Sequence, residues 1–182
     1  MASIVSVEQI KGLAAGSTPN TITIPSGQKL VAANAQAIIA PGMLINQQQF
    51  QTTQDIDTSS STFNTLWTFN YTPVSTNSKI YFTHCLNLRG FNNSSTDGRF
   101  EYQVLLAGSV YFKVRDAGSY DYGGSGVWMR TTYSETTVYT NTASSAIEWR
   151  LQASAQTNQG VRFNEASGGS PISTCLVQEI AQ

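Results

Sequence analysis

Apolar and polar residues alternate strictly through Ile147-Glu148-Trp149-Arg150-Leu151-Gln152. A period of two belongs to a strand with one face buried and the other in water. It predicts Ile147, Trp149 and Leu151 facing inward, with Glu148, Arg150 and Gln152 facing outward. The same period recurs in Arg99–Val104 and Val110–Arg115. These two runs flank Gly108-Ser109, so they read as a β-hairpin around a Gly-Ser turn. Lys79–Leu86 is a further strand. Others are predicted near Leu66–Tyr71, Gly126–Thr132, Glu135–Thr140, Gly160–Phe163 and Ser173–Ile180. Turn-forming clusters lie between them, among them Ser59-Ser60-Ser61, Asn92-Asn93-Ser94-Ser95 and Ser167-Gly168-Gly169-Ser170-Pro171. No stretch carries a helical stripe. Seven or eight strands predict an all-β antiparallel sandwich over residues 46–182.

Composition excludes several functions. Charged residues make up 12% of the 182 and the net charge is −1. That is about half the usual charged share, and the ten basic residues never cluster. No electrostatic footprint for nucleic acid is present. Ser, Thr, Asn and Gln fill the gap, at roughly a third of the chain. Residues 1–8 have no basic start and no sustained apolar run, so no secretory signal is read there. No apolar run is long enough to span a membrane as a helix. Synthesis in a cytoplasm is expected, with Cys85 and Cys175 as free thiols.

Residues 1–45 differ from the rest. Their large apolar residues include Ile4, Val7, Ile22, Ile24, Ile38 and Ile39. Burying such a set does not offset the conformational entropy of ordering 45 residues. The segment is therefore expected not to fold alone, but to act in attachment and oligomer contacts through those residues. Residues 21–50 are expected to pack against other subunits.

Chemistry-bearing motifs are sparse. The single histidine, His84, shares a strand face with Ile80, Phe82 and Leu86, the setting of a packed rather than a catalytic imidazole. Two cysteines and one histidine do not make a four-ligand zinc site. Neither a Gly-x-Ser-x-Gly elbow nor a phosphate-cradling loop occurs. Asp55 and Asp57 form the one close acid pair, but no pattern sets them at the spacing of glycoside hydrolysis. No cofactor, metal or catalytic residue is expected. One loop is a candidate ligand site: Tyr120-Asp121-Tyr122-Gly123-Gly124-Ser125-Gly126-Val127-Trp128. Tyr120, Tyr122 and Trp128 there could stack on a sugar while an acid binds its hydroxyls; the alternative is that they anchor the loop to the sandwich.

Thr72-Pro73-Val74-Ser75-Thr76-Asn77-Ser78-Lys79-Ile80-Tyr81-Phe82 resembles the strand-opening segment of β-sandwich modules in tailed-phage fibre and virion proteins, cyanophage-like ones especially. Ser173–Ala181 resembles their closing strand. Thr21–Leu30 and Ala40–Leu44 resemble the shaft-like segments that precede the module. The resemblance implies a jelly-roll-like sandwich, a homotrimer, and mounting on a virion beside capsid or tail proteins. It implies no catalytic residues. Phage fibres are usually longer and carry a dedicated attachment domain, whereas only 45 residues precede the sandwich here. The expected role is a non-enzymatic virion surface protein, a capsid decoration or short fibre held by residues 1–45. The alternative is a tail-fibre module that recognises a host glycan.

Overall fold

A computed structural model describes residue 26 and residues 39–92, 97–120, 131–155, 159–165 and 171–182, with backbone alone for 92, 97–98, 116–120 and 131. The chain divides between Ile38 and Ile39, and the strands belong to the unit Ile39–Gln182.

Ten strands lie among the described residues: β1 (Leu44–Thr52), β2 (Ile56–Thr58), β3 (Asn64–Tyr71), β4 (Ser78–Asn92), β5 (Asp97–Leu106), β6 (Ser109–Tyr120), β7 (Thr131–Asn141), β8 (Ile147–Ala155), β9 (Gln159–Phe163) and β10 (Ser173–Ala181). They form two antiparallel sheets packed as a jelly-roll-like sandwich. One sheet runs β1-β10-β4-β9-β2, with β7 also paired to β4; the other runs β3-β8-β5-β6. The long β4 organises the first sheet. Ser78–Cys85 pairs with β10, Ser78–Leu88 with β7, and Leu88–Asn92 with β9.

The core lies between the sheets, as the alternation requires. Ile147, Trp149 and Leu151 are buried, and so are Ile80, Phe82, Leu86 and Leu88 on β4. Trp149 sits at the centre, its ring edge-on to Trp67 at 5.1 Å and stacked on Phe69 at 5.0 Å. Such offset and edge contacts suit the ring quadrupoles. On β9, Gly160 faces Phe91 across the ladder. A Cβ at Gly160 would come within 2.2 Å of the Phe91 ring, so only glycine lets that ring lie there undisturbed.

Three expectations are corrected. Residues 44–50 do not depend on another subunit for a partner: they belong to β1, which pairs with β10 from Leu44↔Ile180 to Thr52↔Ser173. Phe50 explains the placement, because its ring stacks on Phe69 at 3.9 Å and so closes the core. The run Gln47-Gln48-Gln49 hid this strand, since glutamine carries no strand signal. The hairpin turn is not Gly108-Ser109. Leu106 pairs with Ser109, so the turn residues are Ala107 and Gly108, with φ of 49° and 80°. Positive φ at both centres is what a type I′ turn needs to match the strand twist. β1 and the three-residue β2 add to the expected strands because they carry no clear alternation, whereas Thr131-Thr132 and Glu135–Thr140 belong to one strand, β7, and residues 126–130 lie outside the described residues.

Candidate functional site

The ends of β3 and β10 meet at Glu179. This carboxylate is fully buried. It accepts hydrogen bonds from the Tyr71 hydroxyl at 2.7 Å and the Ser78 hydroxyl at 2.7 Å. The backbone N–H groups of Val74 and Ser75 also donate to it, at 2.9 and 3.0 Å. Four neutral donors thus replace the water a buried carboxylate loses. Asn46 on β1 donates to the Tyr71 hydroxyl at 3.1 Å, extending the chain to a third strand. Burial, then the hydrogen bond and negative charge of Glu179, push the Tyr71 phenol well above its ordinary pKa. The cluster is a clamp on the 72–78 turn, saturated by its own donors.

A second polar knot sits at the other end of the sheet. Asn164, buried with φ of 54°, donates to the carbonyls of Thr52 and Gln54 at 3.1 and 3.3 Å. Its side-chain oxygen accepts from Ser173 at 2.7 Å. Nearby, Arg162 joins Asp57 at 2.9 Å and Glu165 at 2.8 Å, while Arg89 pairs with Glu165. Asp57 is therefore engaged by arginine across the β2–β9 ladder rather than free to act on a substrate.

His84 is fully buried on β4. Its ring lies 5.9 Å from that of Trp149 and 6.3 Å from that of Phe112, and among the described residues neither ring nitrogen has a hydrogen-bond partner. Burial pushes its pKa down to about 4. It is a core histidine, in line with its apolar strand face. Cys85 and Cys175 are both free. Cys175 pairs in register with His84 and points into the core, whereas Cys85 pairs with Thr174 and points out of the same sheet. Opposite faces keep the two sulfurs from bonding. Burial pushes the Cys175 thiol up to about 12.

The other predicted site residues are not brought together. Tyr120 ends β6 opposite Asp97. Tyr122 and Trp128 lie outside the described residues, as do Ile4, Val7, Ile22, Ile24 and Ile38. Ile39 is exposed. A cleft that the sequence did not announce lies on the outer side of the second sheet, lined by Ser61, Phe63, Glu101, Ser154 and Ala155, with a volume of about 220 Å³. It is smaller than the roughly 300–1,000 Å³ of most small-molecule sites. Its charges are already matched: Lys113 bridges to Glu101 at 2.8 Å and lies 4.6 Å from the Phe63 ring centre. Among the described residues no group of three His, Cys, Asp or Glu side chains could hold a metal ion, and no helix is long and apolar enough to cross a membrane.

Fold and clamp define a class, an antiparallel jelly-roll-like sandwich closed by its last strand. No protein-family model matches the chain, and no curated protein does. Among solved structures, dimeric latent PorU from Porphyromonas gingivalis is similar at 13% identity and a TM-score of 0.46, over 82% of this chain and 14% of that one. The VP2 subviral particle of infectious bursal disease virus is similar at 11% identity and a TM-score of 0.42, over 85% of this chain and 37% of that one. The Gt strain of that virus follows at 9% identity and 0.39, over 85% and 43%. The chain spans less than half the length of each. At these scores the likeness carries no functional weight.

Proposed function

We propose that this chain is a non-enzymatic structural protein on the surface of a phage virion: a homotrimeric capsid decoration or short fibre, made in the host cytoplasm and attached through its N-terminal segment. The observation that carries this reading is the Glu179 clamp. The two stretches that resemble phage fibre modules, Thr72–Phe82 and Ser173–Ala181, are 101 residues apart at Ser78 and Glu179, yet they are one hydrogen-bonded unit. Each supplies the groups the other needs, so the resemblance falls on a physical device and not on scattered residues. The test is particle incorporation of the chain lacking residues 1–38, a deletion that leaves β1 intact. The truncated protein is expected to stay folded and to be missing from particles. Normal incorporation would sink the attachment role.

A second reading, a tail-fibre module recognising a host glycan, draws on the aromatic and glycine-rich sequence 120–128, most of which lies outside the described residues, between β6 and β7 in the chain. Binding to host envelopes that is lost in Tyr122→Ala and Trp128→Ala is the expected result. Unchanged binding in both variants removes the loop from consideration.

A further inference from the structure

Charge is unevenly spread over the outward faces: on the first sheet Arg89, Arg162 and Asp57 gather at the β9–β2 end. On the β3-β8-β5-β6 sheet the outer face holds Glu101, Lys113, Glu148 and Arg150, joined as the pairs Lys113–Glu101 and Arg150–Glu148. Across β1, β10, β4 and β7 the outward positions run in register, as in the row Gln49–Leu176–Thr83–Thr136. In the rows where β4 pairs with both β10 and β7, every outward side chain is an amide, a hydroxyl, a thiol, an aliphatic group or the Tyr81 ring, with one exception, Lys79. Lys79 sits in the end row between Ile180 and Thr140, at the margin of the face. Both edges expose large apolar groups: Leu44 on β1 is 44% exposed and Val138 on β7 is 37% exposed.

A face left to water gains solubility from charges, as the second sheet shows. A face to be covered avoids them, because charges are depleted at interface centres while amides, hydroxyls and aromatic rings are tolerated. We propose that the outward face of β1, β10, β4 and β7 is a self-association surface, occupied by the same face of a second copy of this chain around a symmetry axis. Self-pairing follows from its chemistry. Glutamine and threonine both donate and accept, so the face is complementary to itself. Lys79 lies in the end row and Arg89 beyond the rows shared with β10 and β7, where two copies need not bury either. Area agrees: four strands at about 4.8 Å by nine residues at about 3.4 Å give about 600 Å² per copy. That reaches the lower end of specific interfaces, about 1,200 Å² in total. Pairing of one face with itself closes on a two-fold axis, so the inference stands apart from the homotrimer of the proposed function and requires no virion.

The test is the solution mass of the full chain by sedimentation equilibrium, for the native protein and three variants. Leu176→Lys and Thr136→Lys each place a charge inside the face. Gln152→Lys places one on the opposite sheet, beside Thr65. Thr136 is already exposed, so its variant keeps the fold even if Leu176→Lys does not. An oligomer that weakens tenfold or more in both face variants, and stays intact in Gln152→Lys, is the expected result. A monomeric native protein, a face variant at Thr136 that keeps its mass, or equal loss in Gln152→Lys would each overturn the proposal. Particle incorporation, scored separately, shows whether the virion reading fails while self-association stands.

Discussion

The Tyr71 hydroxyl donates to the Glu179 carboxylate across 2.7 Å, binding the last residue of β3 to the closing strand 108 positions later. Ser78 and two backbone N–H groups share the same acceptor. Removing it leaves four donors without their partner in a buried site. Glu179→Ala is therefore expected to destabilise by about 3–5 kcal/mol, and Tyr71→Phe, which loses one bond, by about 1–2 kcal/mol. Urea unfolding of both variants measures this; equal, small losses would mean that water replaces the clamp.

Acid should act through His84. Its folded pKa lies near 4, below the ordinary value of 6.5, because burial disfavours the imidazolium. Between those values the unfolded chain binds more protons, so stability falls as pH drops from about 6.5 to 4. The expected loss is on the order of 3 kcal/mol. His84→Leu, apolar and close in volume, should flatten that part of the stability–pH curve and cost nothing at pH 7. A curve of unchanged slope in the variant would assign the acid sensitivity to other groups.

At the β5–β6 turn Ala107 holds φ of 49°, a conformation that a Cβ disfavours by about 1 kcal/mol. Asparagine tolerates it, and Asn-Gly is the preferred type I′ pair. Ala107→Asn is expected to stabilise by about 0.5–1 kcal/mol, raising Tm by roughly 2–3 °C. Calorimetry decides; a lower Tm would mean that the native turn gains something from the alanine methyl.

The two thiols should separate by accessibility. Cys175 is buried and its thiol is held protonated, whereas Cys85 is half-buried on the outward face. Iodoacetamide on the native protein, diluted until it is monomeric so that the outward face is uncovered, should label Cys85 first, and Cys175 only after denaturation. Equal native rates would contradict the facing of β10. Denatured, unreduced protein should show both thiols.

Period-two alternation is a property of neighbours along the chain, so the sequence alone determined the strand class, the inward faces of β4, β5 and β8, and the packed state of His84. It also separated residues 1–45 by composition, though not the point where the sandwich begins. Pairing is not local. Nothing in Leu44–Thr52 tells that β10 is its partner, because three adjacent glutamines are compatible with strand, loop or interface. Nothing near Glu179 tells that its donors lie at 71–78, since a single acid in a strand reads as a surface residue. Arg162 and Asp57 are likewise ordinary charges until the β2–β9 register sets them side by side. The sparsely charged outer face arises the same way: each strand contributes a few unremarkable polar residues, and only the alignment of four strands gathers them into one surface with Lys79 at its margin. The sequence settles which side of each strand is apolar through covalent spacing; the tertiary fold alone decides which strands meet, because that depends on contacts about a hundred residues apart.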